Sequence, residues 1–166
     1  MSLLTDEVRA LVGRKKVYTA PEEFGAAAGR YFGIAIGDHN PLYSDAEFAR
    51  AQGLRGVTAP PTLICETNQY ADLPIPPDGY AGHEWGIEIP GTRKVRGGNS
   101  YTFHRRLRPE DVVTATWEIT GVEGKVTRSG SEMLIVSSRA AYTDQDGGLL
   151  AENEETIIFV ALEAGK

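Results

Sequence analysis

One cysteine in 166 residues, Cys65, leaves no internal disulfide to form and no cysteine-built metal centre. A chain without disulfides suits a reducing compartment, so a cytoplasmic location is expected. Histidine is nearly as scarce. The three histidines, His39, His83 and His104, show no His-x-x-x-His spacing, so no zinc site is expected. No cofactor is expected either. Positive charge is in deficit: 17 Lys and Arg face 23 Asp and Glu, a net charge of −6. A general nucleic-acid binder needs a basic surface, so nucleic acid is excluded as a partner. An acidic substrate would need positive groups focused at one place. No apolar run approaches the roughly 18 residues of a membrane span. Asp6, Glu7 and Arg9 interrupt the N-terminus before a signal-peptide core forms, so neither membrane insertion nor export is expected. There is no internal repeat, low-complexity tract or interdomain linker. With 41% hydrophobic and 24% charged residues, 1–166 is expected to form a single globular domain with its own core.

The densest chemistry lies between Tyr31 and Thr62. An apolar run, Ile34-Ala35-Ile36, leads into Gly37-Asp38-His39-Asn40-Pro41, a turn by composition. Glycine permits positive φ, Asp and Asn bond their own backbone, and proline fixes φ. A carboxylate, an imidazole and an amide therefore leave a buried segment at one corner. A second corner, Ala59-Pro60-Pro61-Thr62, opens the apolar run Leu63-Ile64-Cys65, which reads as the buried helix of the fold. Turn chemistry alone accounts for Asp38, and Cys65 reads as a small core residue rather than a nucleophile.

Along the rest of the chain, Ser2 to Leu11 reads as a short amphipathic helix capped by Thr5 or Ser2 and stopped by Gly13. Arg14 to Tyr18 reads as a strand. Thr19 is the expected N-cap of a helix from Glu22 to about Phe32, with Phe24, Ala27, Ala28 and Tyr31 on one face. Its small residues would let another backbone approach closely. Ser44 or Asp45 should cap a helix from Ala46 to Gln52 that Gly53 ends. The Pro- and Gly-rich stretch from Asp72 to Gly91 reads as a surface excursion, with His83 solvated and Trp85 as its anchor. Strands are expected at Thr92–His104, with a bulge at Gly97-Gly98-Asn99, then at Asp111–Val122, Glu132–Tyr142 and Glu154–Leu162. Gly121 to Gly124 and Asp144 to Gly148 are the expected turns, and Trp117 packs on the sheet. His104, with Arg105, Arg106 and Arg108, reads as an exposed basic strand end. A sharper reading makes it a patch that attracts phosphates, joined by Arg93, Lys94 and Arg96. Helices early and antiparallel strands late make an α+β order, a sheet wrapping one apolar helix.

The corner resembles the motif of the MaoC-like hotdog family, in its FAS1-like dehydratase N-terminal branch. The matching residues run from Tyr31 through Gly37-Asp38-His39-Asn40-Pro41-Leu42-Tyr43, then through Ala46, Ala51, Gly53-Leu54 and Gly56 into Ala59-Pro60-Pro61-Thr62. The resemblance implies a single hotdog fold, an antiparallel sheet around a central apolar helix. It implies (R)-specific hydration of enoyl thioesters, or dehydration of 3-hydroxyacyl thioesters, carried by CoA or an acyl-carrier protein. In the family, the motif Asp and His hold the catalytic water as general base and acid, and a backbone N–H at the start of the hotdog helix meets the oxyanion. Carried over by position, Asp38 is the carboxylate and Asn40 supports the loop. Gly56, Ala59 and Thr62 line the way to the oxyanion region, and Arg96 and His104 are candidates for binding the phosphates of the substrate.

The sequence departs from the motif at Tyr43, where the family carries His. A phenol, with a reference pKa of about 10, is a poor base near neutral pH, although it can orient water or donate a hydrogen bond. His39 stands beside Asp38 as a substitute. Pro60 and Pro61 also lack N–H groups. Both departures resemble subunits of two-component dehydratases. The expected partners are therefore the acyl thioester and a second hotdog subunit, in a homodimer or heterodimer. A non-catalytic acyl-binding subunit is the alternative. A hotdog thioesterase with Glu66 as its carboxylate is a further one.

Overall fold

The computed structural model describes residues 2–65, 68–77, 79–80, 82–128 and 130–162. Glu66 and Thr67, the first a thioesterase candidate, lie outside these residues. Five antiparallel strands form one sheet in the order β1-β3-β4-β5-β2. They are β1 (Lys15–Thr19), β2 (Thr92–Phe103), β3 (Thr114–Val126), β4 (Glu132–Thr143) and β5 (Leu149–Ala161). In β3, β4 and β5 buried and less buried residues alternate, the period-2 signature of a sheet packed mainly on one face. Ala115, Trp117, Ile119, Leu134, Val136, Ala140, Tyr142, Ile157 and Phe159 supply the inner face. This is a hotdog fold in the α+β class.

Val8, Phe24 and Phe32 of the N-terminal elements join this core, whereas Ala49 packs in a separate cluster with Leu42 and Tyr43. Helix α1 (Asp6–Arg9) is capped by Thr5, whose hydroxyl accepts from the Val8 N–H at 3.4 Å. Helix α2 (Gly25–Ala35) starts later than the sequence suggests and has no side-chain cap. Thr19 belongs to β1, where its hydroxyl meets that of Thr114 at 3.0 Å. The Phe24 and Gly25 N–H groups donate to Asp111 O at 3.3 Å and Pro109 O at 2.8 Å, so tertiary carbonyls replace the cap. The buried residues of α2 are Gly29 and Gly33, whereas Tyr31 is 63% exposed, so the packed face differs from the expected one. Helix α3 (Ala46–Ala51) is capped by Asp45, which accepts from the Glu47 and Phe48 N–H groups at 2.9 Å each.

The central apolar segment runs as 3-10 turns over Pro61–Cys65 and Asn68–Tyr70. Pro61 has no N–H to donate, and Leu63 N–H donates to Pro60 O at 3.0 Å, an i→i−3 bond. Leu63, Ile64 and Tyr70 are buried in the core nonetheless. Gly121 to Gly124 does not turn the chain. β3 continues through it to Val126 with a bulge between Ile119 and Gly121, and only beyond does the Thr127 N–H donate to Ser131 O at 2.8 Å. The stretch after Asp72 is not wholly surface either: His83 and Trp85 are 5% and 1% exposed. His83 stacks on Trp117 at 4.0 Å between centroids, 8° from parallel. Among the described residues no helix is long and apolar enough to cross a membrane.

Candidate active site

The corner is built by the last turn of α2. Gly37 takes φ +73°, and the Asp38 N–H turns back to Gly33 O at 2.9 Å. Two Asx interactions then set the loop: Asp38 Oδ1 accepts from the Asn40 N–H at 3.1 Å, and Asn40 Oδ1 accepts from the Leu42 N–H at 3.0 Å. A 3-10 turn, Pro41–Tyr43, brings the Tyr43 ring back over the corner, and its hydroxyl donates to Asp38 Oδ2 at 3.0 Å. Tyr43 is 6% exposed, whereas Asp38 and His39 face solvent.

Gly33 is where the two corners meet. A Cβ there would lie 3.0 Å from Asp38 O, 3.1 Å from Tyr43 Cδ2 and 3.8 Å from Pro60 Cγ. Desolvation raises the Tyr43 pKa above the ordinary phenol value. The Asp38 hydrogen bond and charge push the same way, and Arg106 pulls against them. Tyr43 is therefore a neutral donor to Asp38 near pH 7 and does not act as a base there. Asp38 keeps lone pairs toward solvent with which to accept from a water or a substrate hydroxyl.

The sequence matches the model of the FAS1-like dehydratase domain region over residues 10–153. The chain belongs to that family. It is 33% identical over 139 residues to a UPF0336 protein of Streptomyces coelicolor, covering 84% of this chain and 85% of that one. It is 28% identical over 131 residues to a probable enoyl-CoA hydratase alpha subunit of Thermomonospora curvata, covering 74% of this chain and 40% of that longer one. In three dimensions it is similar to a chain of the ChsH1–ChsH2 complex of Mycobacterium tuberculosis, with a TM-score of 0.68 and 24% identity over 96% of this chain and 90% of that one.

In this FAS1-like dehydratase chain the residues singled out by sequence fall in three places. Asp38, Asn40 and Tyr43 form one bonded unit, with His39 on its rim and without a hydrogen bond among the described residues. Gly56 lines a cleft beside that unit, Ala59 is buried under Gly29, and Thr62 is exposed. Arg96 lies on β2 and His104 directly after its end, and both bond toward β5. Arg96 pairs with Glu155 at 3.5 Å and covers the Tyr80 ring at 4.7 Å, and His104 Nε2 meets Glu152 at 2.9 Å.

Most donors at the start of the central segment are already engaged. The Thr58 N–H donates to Leu42 O at 2.9 Å and the Ala59 N–H to Leu107 O at 3.2 Å, while Pro60 and Pro61 have none. Sequence reasoning misses Arg106 as the cation beside Tyr43; the only signal is its place in a run of arginines. Among the described residues no group of His, Cys, Asp and Glu could hold a metal ion.

Proposed function

We propose that this protein is one subunit of an (R)-specific enoyl-thioester hydratase, or 3-hydroxyacyl-thioester dehydratase, that works in the cytoplasm with a second hotdog subunit. The observation that carries the reading is the Asp38–Tyr43 pair at 3.0 Å: the corner keeps its carboxylate but offers it a neutral phenol instead of an imidazole. Hydration forms a bond from water oxygen to C3, sends one water proton to a base and delivers a proton to C2. Dehydration reverses this. Asp38 and Tyr43 can hold the water or the 3-hydroxyl. The base and most of the oxyanion donors come from the partner subunit. Two further features support this division. Four consecutive residues, Thr58 to Pro61, have no N–H left to give. The cavity bounded by Cys65, Tyr101 and Asn153 inside the sheet is about 20 Å³, room for a water but not for an acyl chain. On this reading the acyl chain would run at the interface with the second subunit rather than through this cavity.

The test is hydration of crotonyl-CoA, monitored by loss of enoyl absorbance, for the chain alone and for its complex with the co-purified hotdog partner. The chain alone should not exceed the buffer rate, and the complex should be active. Full activity from the chain alone, abolished by Asp38→Asn, would overturn the division of labour and make the protein a self-sufficient hydratase.

A further inference from the structure

Beside the corner a cleft of about 650 Å³ opens between residues 46–58 and residues 105–110. Arg50 and Arg55 stand on one wall and Arg105, Arg106 and Arg108 on the other; among the described residues Glu110 is the one acid that lines it. Arg105 is committed to structure. It donates to both oxygens of Asp111, at 2.7 and 2.8 Å, and to Asp144 at 2.7 Å. Among the described residues none of the other four arginines joins an ion pair. Elsewhere on the chain some cations are paired, Lys15 with Glu118, Lys94 with Glu84, Arg96 with Glu155 and Lys125 with Glu123. What distinguishes the cleft is convergence: four guanidinium groups without a carboxylate partner among the described residues line one space.

A second observation is independent of charge. Thr58 lines the same cleft, is 5% exposed, and its Oγ1 has no hydrogen-bond partner among the described residues. Buried hydroxyls are normally paired, which marks this one out. The walls are also fixed in advance. The Ala59 N–H to Leu107 O bond ties one to the other, and Asp111 Oδ2 accepts from the Arg108 N–H at 2.7 Å.

Guanidinium forks recognise phosphate oxygens bidentately, and several around one space call for several phosphates. The volume is that of a small-molecule site, about 300–1,000 Å³, and far exceeds a single phosphate. Its concavity suits a nucleotide better than the convex face of a protein. We propose that the cleft binds the 3′-phospho-ADP end of coenzyme A. On the reading that the adjacent corner handles an acyl thioester, the natural substrate is then a CoA thioester rather than a carrier-protein thioester. Arg106 joins the two sites, since it lines the cleft and acts on Tyr43.

Calorimetric titration of the whole protein, in its own assembly, with adenosine 3′,5′-bisphosphate and with CoA tests this without any turnover. Both should bind, more weakly as salt rises, and pantetheine should not. Arg55→Ala and Arg108→Ala should each weaken nucleotide binding about tenfold or more, and Thr58→Val by less. Lys15→Ala should leave it unchanged. Thermal unfolding of each variant confirms that it is folded. Absence of nucleotide binding, arginine variants that bind as wild type, or inorganic phosphate binding as tightly as the nucleotide would each overturn the proposal. So would an acidic carrier protein that binds through these arginines while the nucleotide does not. Nucleotide binding by a protein whose complex hydrates no enoyl thioester would leave the cleft standing and remove the hydratase reading; an active complex that ignores the nucleotide would do the reverse.

Discussion

Tyr43 is the residue on which the chemistry turns. Its ring is buried and its hydroxyl is aimed at a carboxylate that is itself held by the Asn40 N–H. Tyr43→Phe keeps the ring and removes one hydrogen bond to a largely solvated acceptor, so it should lower stability by only about 1 kcal/mol in urea unfolding. Tyr43→His is more informative for function. It places an imidazole where the family motif has one, and a base with an ordinary pKa of about 6.5 can take a proton from water near neutral pH. The variant should hydrate crotonyl-CoA measurably better than wild-type protein in the absence of a partner. No gain would mean that the missing oxyanion donors, rather than the missing base, limit the chain.

At the scale of the element, the corner depends on how closely α2 approaches the loop that leaves its C-terminus. Alanine in place of a helical glycine is worth up to about 1 kcal/mol in propensity. At Gly33 the new methyl would meet Asp38 O at 3.0 Å, a backbone atom that cannot rotate away, and the Tyr43 ring at 3.1 Å. Gly33→Ala should therefore destabilise by about 1–3 kcal/mol, the range for overpacking, and shift the Asp38–Tyr43 pair. Chemical denaturation and the hydration assay on the complex read both effects. The features legible in the sequence here are local. Asp45 as a cap, Gly53 after α3, Asn40 folding the loop and the Gly97–Gly98 bulge all arise from the conformational habits of single residues. The hidden features are tertiary. Thr19 has the chemistry of a cap, but pairing with Thr114 draws it into β1. Glycines at 121 and 124 have the composition of a turn, but twelve residue pairs between β3 and β4 carry the strand through them. Tyr31 belongs to the stripe formed by the large residues of α2, whereas the packing runs through its two buried glycines.

At the scale of the whole molecule, burial turns a loop histidine into a stability determinant. His83 sits between Trp117 and Trp85, its Nδ1 3.2 Å from Tyr18 Oη, and its Nε2 has no hydrogen-bond partner among the described residues. Burial, with Lys16 and Arg96 nearby, lowers its pKa from 6.5 to about 3. Folding thus withdraws a base. Between pH 6.5 and about 3 the unfolded chain binds a proton that the folded one refuses, so stability rises with pH through that window and is fully present above it. One proton difference gives a slope of at most about 1.4 kcal/mol per pH unit. The upper part of the window favours His83, because the carboxyls of Glu7, Glu84 and Asp144, each held below the usual range, titrate further down. Urea midpoints measured from pH 7 to about pH 5 should fall on acidification in the wild-type protein. His83→Gln has no titrating group and should lose stability at pH 7, yet its midpoint should stay nearly flat over the same range. Parallel curves for the two proteins would assign the proton uptake to another group and would mean that His83 opens to water before the chain unfolds.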